Sequence, residues 1–274
     1  MFGCDTLMLR HVSAATIASD GPEMPGIDDF LLPEILFEGT PFAMNRIIFV
    51  RLVATALMLL FLGVVAKRAK VVPGRCQGLV ELLLDFVRDS IVYEVMGEMR
   101  GKRYVPMITT MFMTIFVFNL CGIIPGLNIA ATSSIAMPLM FALWTFFQTW
   151  RAAISTQGIG KYLKHELCPP GVPPAAAILI APLQFLDIMV VHPLSLTIRL
   201  FANMVAGHLI VALCFTATEY FLVETFSAMT AAGVLTLAGG IVMTLFEAFV
   251  AGLQAFIFST LSVVYINAAY PDFD

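Results

Sequence analysis

Charge is what this chain has little of. Charged residues are 12% of its 274 residues and hydrophobic ones 59%, where a soluble domain carries roughly 25% and 45–50%. After Lys164 a single lysine or arginine remains in the last 110 residues, Arg199. So few polar side chains cannot cover a water-exposed surface, which excludes an ordinary soluble domain, and no nucleic-acid partner is expected. The five cysteines (Cys4, Cys76, Cys121, Cys168, Cys214) are odd in number, scattered and without C-x-x-C spacing. They read as packing thiols and exclude a disulfide framework or a thiolate metal site. H-E-x-x-H and G-x-S-x-G are both missing, so an intramembrane hydrolase has no recognisable nucleophile or metal set. No metal and no cofactor is expected. Nothing before residue 45 pairs a basic start with a short apolar core, so the first apolar span reads as a retained segment and not a signal peptide.

What is present is a series of long apolar stretches, and the expected fold is an all-α polytopic membrane protein. Residues 1–46 form a polar acidic segment with seven carboxylates (Asp5, Asp20, Glu23, Asp28, Asp29, Glu34, Glu38), two arginines, and prolines at 22, 25, 33 and 41 that argue against one long helix. A first span covers 47–66, long enough for the hydrocarbon core. The basic cluster Lys67, Arg68, Lys70 and Arg75 marks the cytoplasmic side and puts the N-terminus outside. Within 67–103, Leu79, Leu82, Leu83, Phe86, Val87 and Ile91 recur at helical spacing while Glu81, Asp85, Arg88 and Asp89 take other positions. That pattern predicts one amphipathic interfacial helix. Residues 104–155 read as a transmembrane hairpin, with spans near 104–124 and 135–150. Residues 156–174, containing Cys-Pro-Pro-Gly-Val-Pro-Pro, read as an irregular cytoplasmic loop. Two stretches, 175–215 and 224–268, each exceed the roughly 20 residues an upright span needs. About five crossings carry an outside N-terminus to a cytoplasmic C-terminus only if each long stretch crosses once, as a strongly tilted helix. Pro193 could kink the first. Residues 175–268 thus form two long tilted helices, and 269–274 a short tail.

Arg199 sits inside this apolar region, in His192-Pro193-Leu194-Ser195-Leu196-Thr197-Ile198-Arg199-Leu200-Phe201-Ala202-Asn203-Met204-Val205-Ala206-Gly207-His208. A charge at bilayer depth costs a few kcal/mol or more, so an intramembrane arginine is a functional residue facing protein or water; the bland alternative is snorkelling to the headgroups. Asn203 is four residues on and shares its face. His208 is nine residues on, about 900° of rotation, so it points to a different neighbour. Ala202, Ala206 and Gly207 let another helix approach closely. The second stretch supplies Glu247 and Gln254, seven apart on one face, with small Ala248, Ala251 and Ala255 beside them. A carboxylate, an imidazole and two carboxamides in a membrane are the parts of a proton relay. The same residues also have plain readings. His208 can be a hydrogen-bonded core residue, and Asn203 and Gln254 can be helix–helix glue. Glu247 needs a compensating partner, and Arg199 and the histidines are its basic candidates. Ser195 and His192 are weaker candidates; Ser195 can bond its own backbone.

The run Leu194 to Leu209 resembles the S-L-x-x-R-L-F-x-N-x-x-A-G-x-L signature of the subunit a family of F-type ATP synthases. Glu247 to Tyr265 is similar to the last helix of that family, with Gln254 in the place of its glutamine. Asn119 to Gly126 resembles its N-L-x-G-x-x-P-G turn. The likeness covers roughly 104–268. It implies a non-catalytic stator of an H+-transporting two-sector ATPase, packed against a rotating ring of c subunits and held by b-type peripheral stalk subunits within the lipid bilayer. Two offset half-channels would load and unload a carboxylate on each c subunit with protons. Arg199 matches the arginine that passes the ring carboxylate and blocks a direct leak. Asn203 and Gln254 match residues beside that passage, and His208 and Glu247 match an outer half-channel pair. Gln184 stands where many relatives carry a carboxylate and Gly122 where some carry aspartate. Asp187, Glu219 or Glu224 could then serve at the outer channel, on position alone. A bacterial plasma membrane is expected over an organelle inner membrane. The alternative is a secondary transporter that holds an anionic substrate with Arg199, but such folds carry inverted repeats and none is visible.

Overall fold

A computed structural model describes residues 34–36, 44–123, 135–167, 174–224 and 230–270. The acidic segment before residue 34, the end of the turn at 124–126, the Pro-rich part of the 156–174 loop and the last four residues lie outside the described residues.

The described residues are helical apart from one minimal antiparallel pair. β1 (Glu34–Leu36) pairs with β2 (Met44–Asn45) just before the first helix. The helices are α1 (Arg46–Lys67), α2 (Arg75–Asp85), α3 (Glu94–Gly101), α4 (Val105–Ile123), α5 (Ala136–Thr156), α6 (Ile159–Leu167), α7 (Pro174–Leu186), α8 (His192–Glu219) and α9 (Thr230–Ala268). Three π-helical segments interrupt them: Phe86–Tyr93 joins α2 to α3, Asp187–Val191 joins α7 to α8, and Tyr220–Glu224 extends α8. Among the described residues, four spans are long and apolar enough to cross a membrane: Ile48–Lys67, Val105–Ile123, Ile180–Leu222 and Thr230–Ala268. α5 has the length of a fifth at 21 residues, and Thr145, Gln148, Thr149 and Arg151 make it less apolar.

Over their described residues the two long apolar stretches are continuous helical runs, 174–224 and 230–268, and not hairpins. At 1.5 Å per residue the 39 residues of α9 extend about 58 Å, nearly twice the hydrocarbon thickness, so the helix must tilt steeply if it stays within the bilayer. Pro193 lacks an amide hydrogen and crowds the preceding turn, so the α-helical ladder opens before it. The chain absorbs the defect as the π segment Asp187–Val191 and continues as helix. The kink expected at Pro193 takes this form.

The core forms where α9 packs along α4 and α8, with α5 laid against α8 and α9 and α1 against α4. Ile108 and Ile115 of α4, Leu200 of α8 and Val263 and Ile266 of α9 are fully buried there. The amphipathic segment also joins this core, but with a shifted face. Val80, Val87, Ile91, Val92 and Met96 are buried, while Leu79 and Leu82 are exposed. At 100° per residue Val80, Leu83, Val87 and Ile91 already share a face that leaves out Leu79 and Leu82, and the smaller angular step of the π segment brings Val92 and Met96 toward the same side. Part of the expected irregular stretch 156–174 is likewise helical. α5 ends at a left-handed Gly158 (φ 79°), whose N–H donates to Ala153 O at 3.2 Å. α6 follows and buries Tyr162 edge-on against Trp150, ring centroids 5.8 Å apart. The prolines lie after Leu167, so they leave Ile159–Leu167 free to form a helix.

Candidate functional site

α8 and α9 run antiparallel in one register, and that register builds the site. Thr218 Oγ1 donates to Thr236 Oγ1 at 3.0 Å near one end. Gly240 faces Cys214, and Gly207 faces Glu247. His192 stacks on Tyr265 near the other end. Small residues make the approach close: a methyl group built on Gly207 would lie 3.1 Å from Glu247 Oε1. A side chain there would make the carboxylate give way by a few tenths of an ångström, and a branched one by more.

Glu247 is buried at 8% exposure, and Gln254 at 6%. The partner of Glu247 is His208, with Nδ1 3.8 Å from Glu247 Oε1. That separation is beyond a direct hydrogen bond, and Oε1 is buried without a hydrogen-bond partner among the described residues. A cavity of about 10 Å³ adjoins it, lined by Asn119, Asn203, Glu247 and Gln254 with apolar Leu200 and Met204. Its volume is near that of a single water site, and its walls carry polar partners for one. A carboxyl, an imidazole and three carboxamides thus converge, which suits relay of a proton and offers no nucleophile for bond cleavage.

Arg199 occupies a different face. It is exposed, as is Asn203 one turn on, while Leu196 and Leu200 turn into the core. The nine-residue offset therefore does what rotation predicts: the guanidinium points off the bundle and the imidazole points into it. Glu247 takes His208 as its ion partner, not Arg199.

The weaker candidates separate into two groups. Asp187 and His192 meet at 3.0 Å, Oδ2 to Nε2, beside Tyr265 and toward the α6 end of the bundle. Glu219 is exposed at the far end of α8, and Glu224 lies beyond it, its side chain outside the described residues. Asp187 is thus at the opposite end from the two glutamates with which position alone grouped it, because 32 residues of helix separate it from Glu219. Ser195 is half-buried one turn before Arg199. Asn119 was missed as a site residue, although a buried carboxamide within an apolar span is itself a signal. Tyr265 was missed too; nothing in a run of helix residues tells a packing tyrosine from one stacked on an imidazole.

The family model described as ATP synthase A chain matches residues 48–267. The chain belongs to the ATP synthase A chain family. A relative from Rhodococcus erythropolis named ATP synthase subunit a is 37% identical over 269 residues, 98% of both chains. One of the same name from Frankia alni is 38% identical, covering 79% of this chain and 76% of its own. Another from Pseudarthrobacter chlorophenolicus is 32% identical over 94% of this chain and 97% of its own. The family match spans α1 to α9 and so includes every site residue described above.

Proposed function

We propose that this chain is the proton-translocating stator subunit of an F-type ATP synthase, set against a ring of c subunits and held by b-type stalk subunits. The observation that carries this reading is the split on α8: an exposed arginine at mid-helix, and a buried His208–Glu247 pair behind it. A lone exposed cation on an apolar face has to meet something anionic or wet. A ring carboxylate entering lipid must be neutral, since a bare charge there is costly. Opposite Arg199 the ionised form is tolerated, because attraction between the charges strengthens in low dielectric. The arginine thereby lets the ring carboxylate give up its proton on one side and regain one on the other, and it denies protons a straight path between. Glu247, His208 and the carboxamides around the small cavity would serve one half-channel, loading the ring. The chain forms and breaks no phosphate bond in this scheme; it converts proton flow into rotation. Positive clusters at 67–75 and 100–103 favour a cytoplasmic placement for that end of the bundle, with the N-terminus outside, the C-terminus inside and residence in a bacterial plasma membrane.

ATP-driven proton pumping in vesicles carrying the whole complex tests the reading. Arg199→Ala should abolish pumping with all subunits retained. Pumping at the wild-type rate would mean the arginine is structural and would overturn this reading.

A further inference from the structure

We infer that Asp187 and His192 form a second proton-transfer pair, on the other side of Arg199 from His208 and Glu247; the inference rests on the function proposed above. The pair is made by the backbone. In an α-helix, residues five apart differ by about 140° and cannot touch. Here the chain is π-helical from Asp187 to Val191, and the His192 N–H donates to the Asp187 carbonyl. That i→i+5 step brings Asp187 Oδ2 to 3.0 Å from His192 Nε2. Pro193 explains why the ladder opens at this point. It does not explain a carboxylate and an imidazole at the two ends of the opening, and π segments of this kind concentrate at functional sites. Stability does not explain them either, because the side chains are 44% and 31% exposed and an exposed ion pair contributes little.

The surroundings suit proton passage. Tyr265 of α9 stacks on the imidazole, centroids 4.2 Å apart and planes within 15°, and so restrains the ring. A cavity of about 30 Å³ opens beside them, large enough for water. Tyr162 and Glu166 of α6 and Thr145 and Thr149 of α5 line it with His192 and Tyr265, so these are the polar groups facing the imidazole from the neighbouring helices. His192 is seven residues from Arg199, which places it on the same face about 10.5 Å along the axis. His208 is about 13.5 Å away in the other direction, on the opposite face. Each side of the arginine thus has one imidazole with one carboxylate.

The transfer balances without any other reactant. A proton released by the ring carboxyl beside Arg199 adds to Nδ1 of His192. The proton on Nε2 leaves to Asp187 Oδ2 and passes from there to water. One proton enters and one leaves, and the starting tautomer returns when water in the adjoining cavity gives a proton to Nε2 and takes one from Nδ1.

ATP synthesis driven by a potassium diffusion potential, in vesicles holding the whole complex, tests this. His192→Ala and Asp187→Asn should each lower the rate about tenfold or more, as removal of a proton-transfer group does. Added imidazole should restore much of the His192→Ala rate relative to wild type in the same buffer, and none of the Asp187→Asn rate. Unchanged synthesis in either variant overturns the inference. A His192→Ala loss that imidazole does not move also overturns it, since that marks a packing role. Arg199→Ala in the same assay separates the two levels. If it is inactive while His192→Ala is fully active, only this inference fails; if Arg199→Ala itself is active, the proposed function fails.

Discussion

His208 meets Glu247 across two helices, whereas His192 meets Asp187 within one helical run. The first contact is buried, at 12% and 9% exposure, and its atoms stand 3.8 Å apart; the second is half-exposed and closes to 3.0 Å. The cross-helix pair depends on the α8–α9 register and on Gly207, so packing changes should reach it from a distance. The local pair depends on the π segment and should tolerate changes in packing. A buried acid with an unpartnered oxygen is also held under greater electrostatic demand than one that water reaches. The two pairs thus have the same chemistry and different supports.

The largest effect expected from breaking this contrast is at the buried acid. Glu247→Gln keeps the shape and removes the exchangeable proton, and it should slow passive proton conductance of the complex about 100-fold with Arg199 intact. Conductance equal to wild type would remove Glu247 from the path. Next is the register itself. Gly207→Val places a branched side chain where even a methyl lies 3.1 Å from Glu247 Oε1. Displacing the carboxylate should cost about tenfold in conductance. Gly207→Ala should cost less, and an order reversed between the two would show that the close approach does not matter. The same substitutions should leave imidazole rescue of His192→Ala intact, because that pair is supported locally.

The smallest effect concerns the wall of the second cavity. Burial, reinforced by the Glu166 carboxylate, pushes the Tyr162 phenol up to about 12. A folded-state value above the unfolded value of about 10 means that folding favours the neutral phenol. Its contribution is complete below pH 10 and is lost as pH rises through about 12. The melting temperature of the purified complex should therefore fall less steeply between these values for Tyr162→Phe than for wild type. Parallel curves would mean the phenol is as well solvated in the folded chain as in the unfolded one.

Much of this could be read directly from the residues. The boundaries of α1 and α4 follow from apolar length alone, whereas the two last stretches were readable as either tilted helices or hairpins. The division of faces between Arg199 and His208 is a matter of 100° per residue, and the structure keeps it. The amphipathic segment was legible as a helix but not in its whole face, because the π segment brings Val92 and Met96 inward without leaving a mark in composition. Asp187 was legible as an intramembrane carboxylate but not in its partner, since five-residue spacing says nothing of a contact until the backbone departs from α geometry. Asn119 and Tyr265 were legible only as helix residues.

The sequence by itself determined the solvent, the helices and the one permanent cation: apolar runs with so few charges can bury their backbone only as helices in lipid, and Arg199 is the only lysine or arginine in the last 110 residues. The tertiary structure alone decided which carboxylate meets which imidazole. That choice depends on the antiparallel register of α8 and α9 and on the π segment before Pro193, and each is fixed by packing and backbone hydrogen bonding between residues that local pattern treats as equivalent.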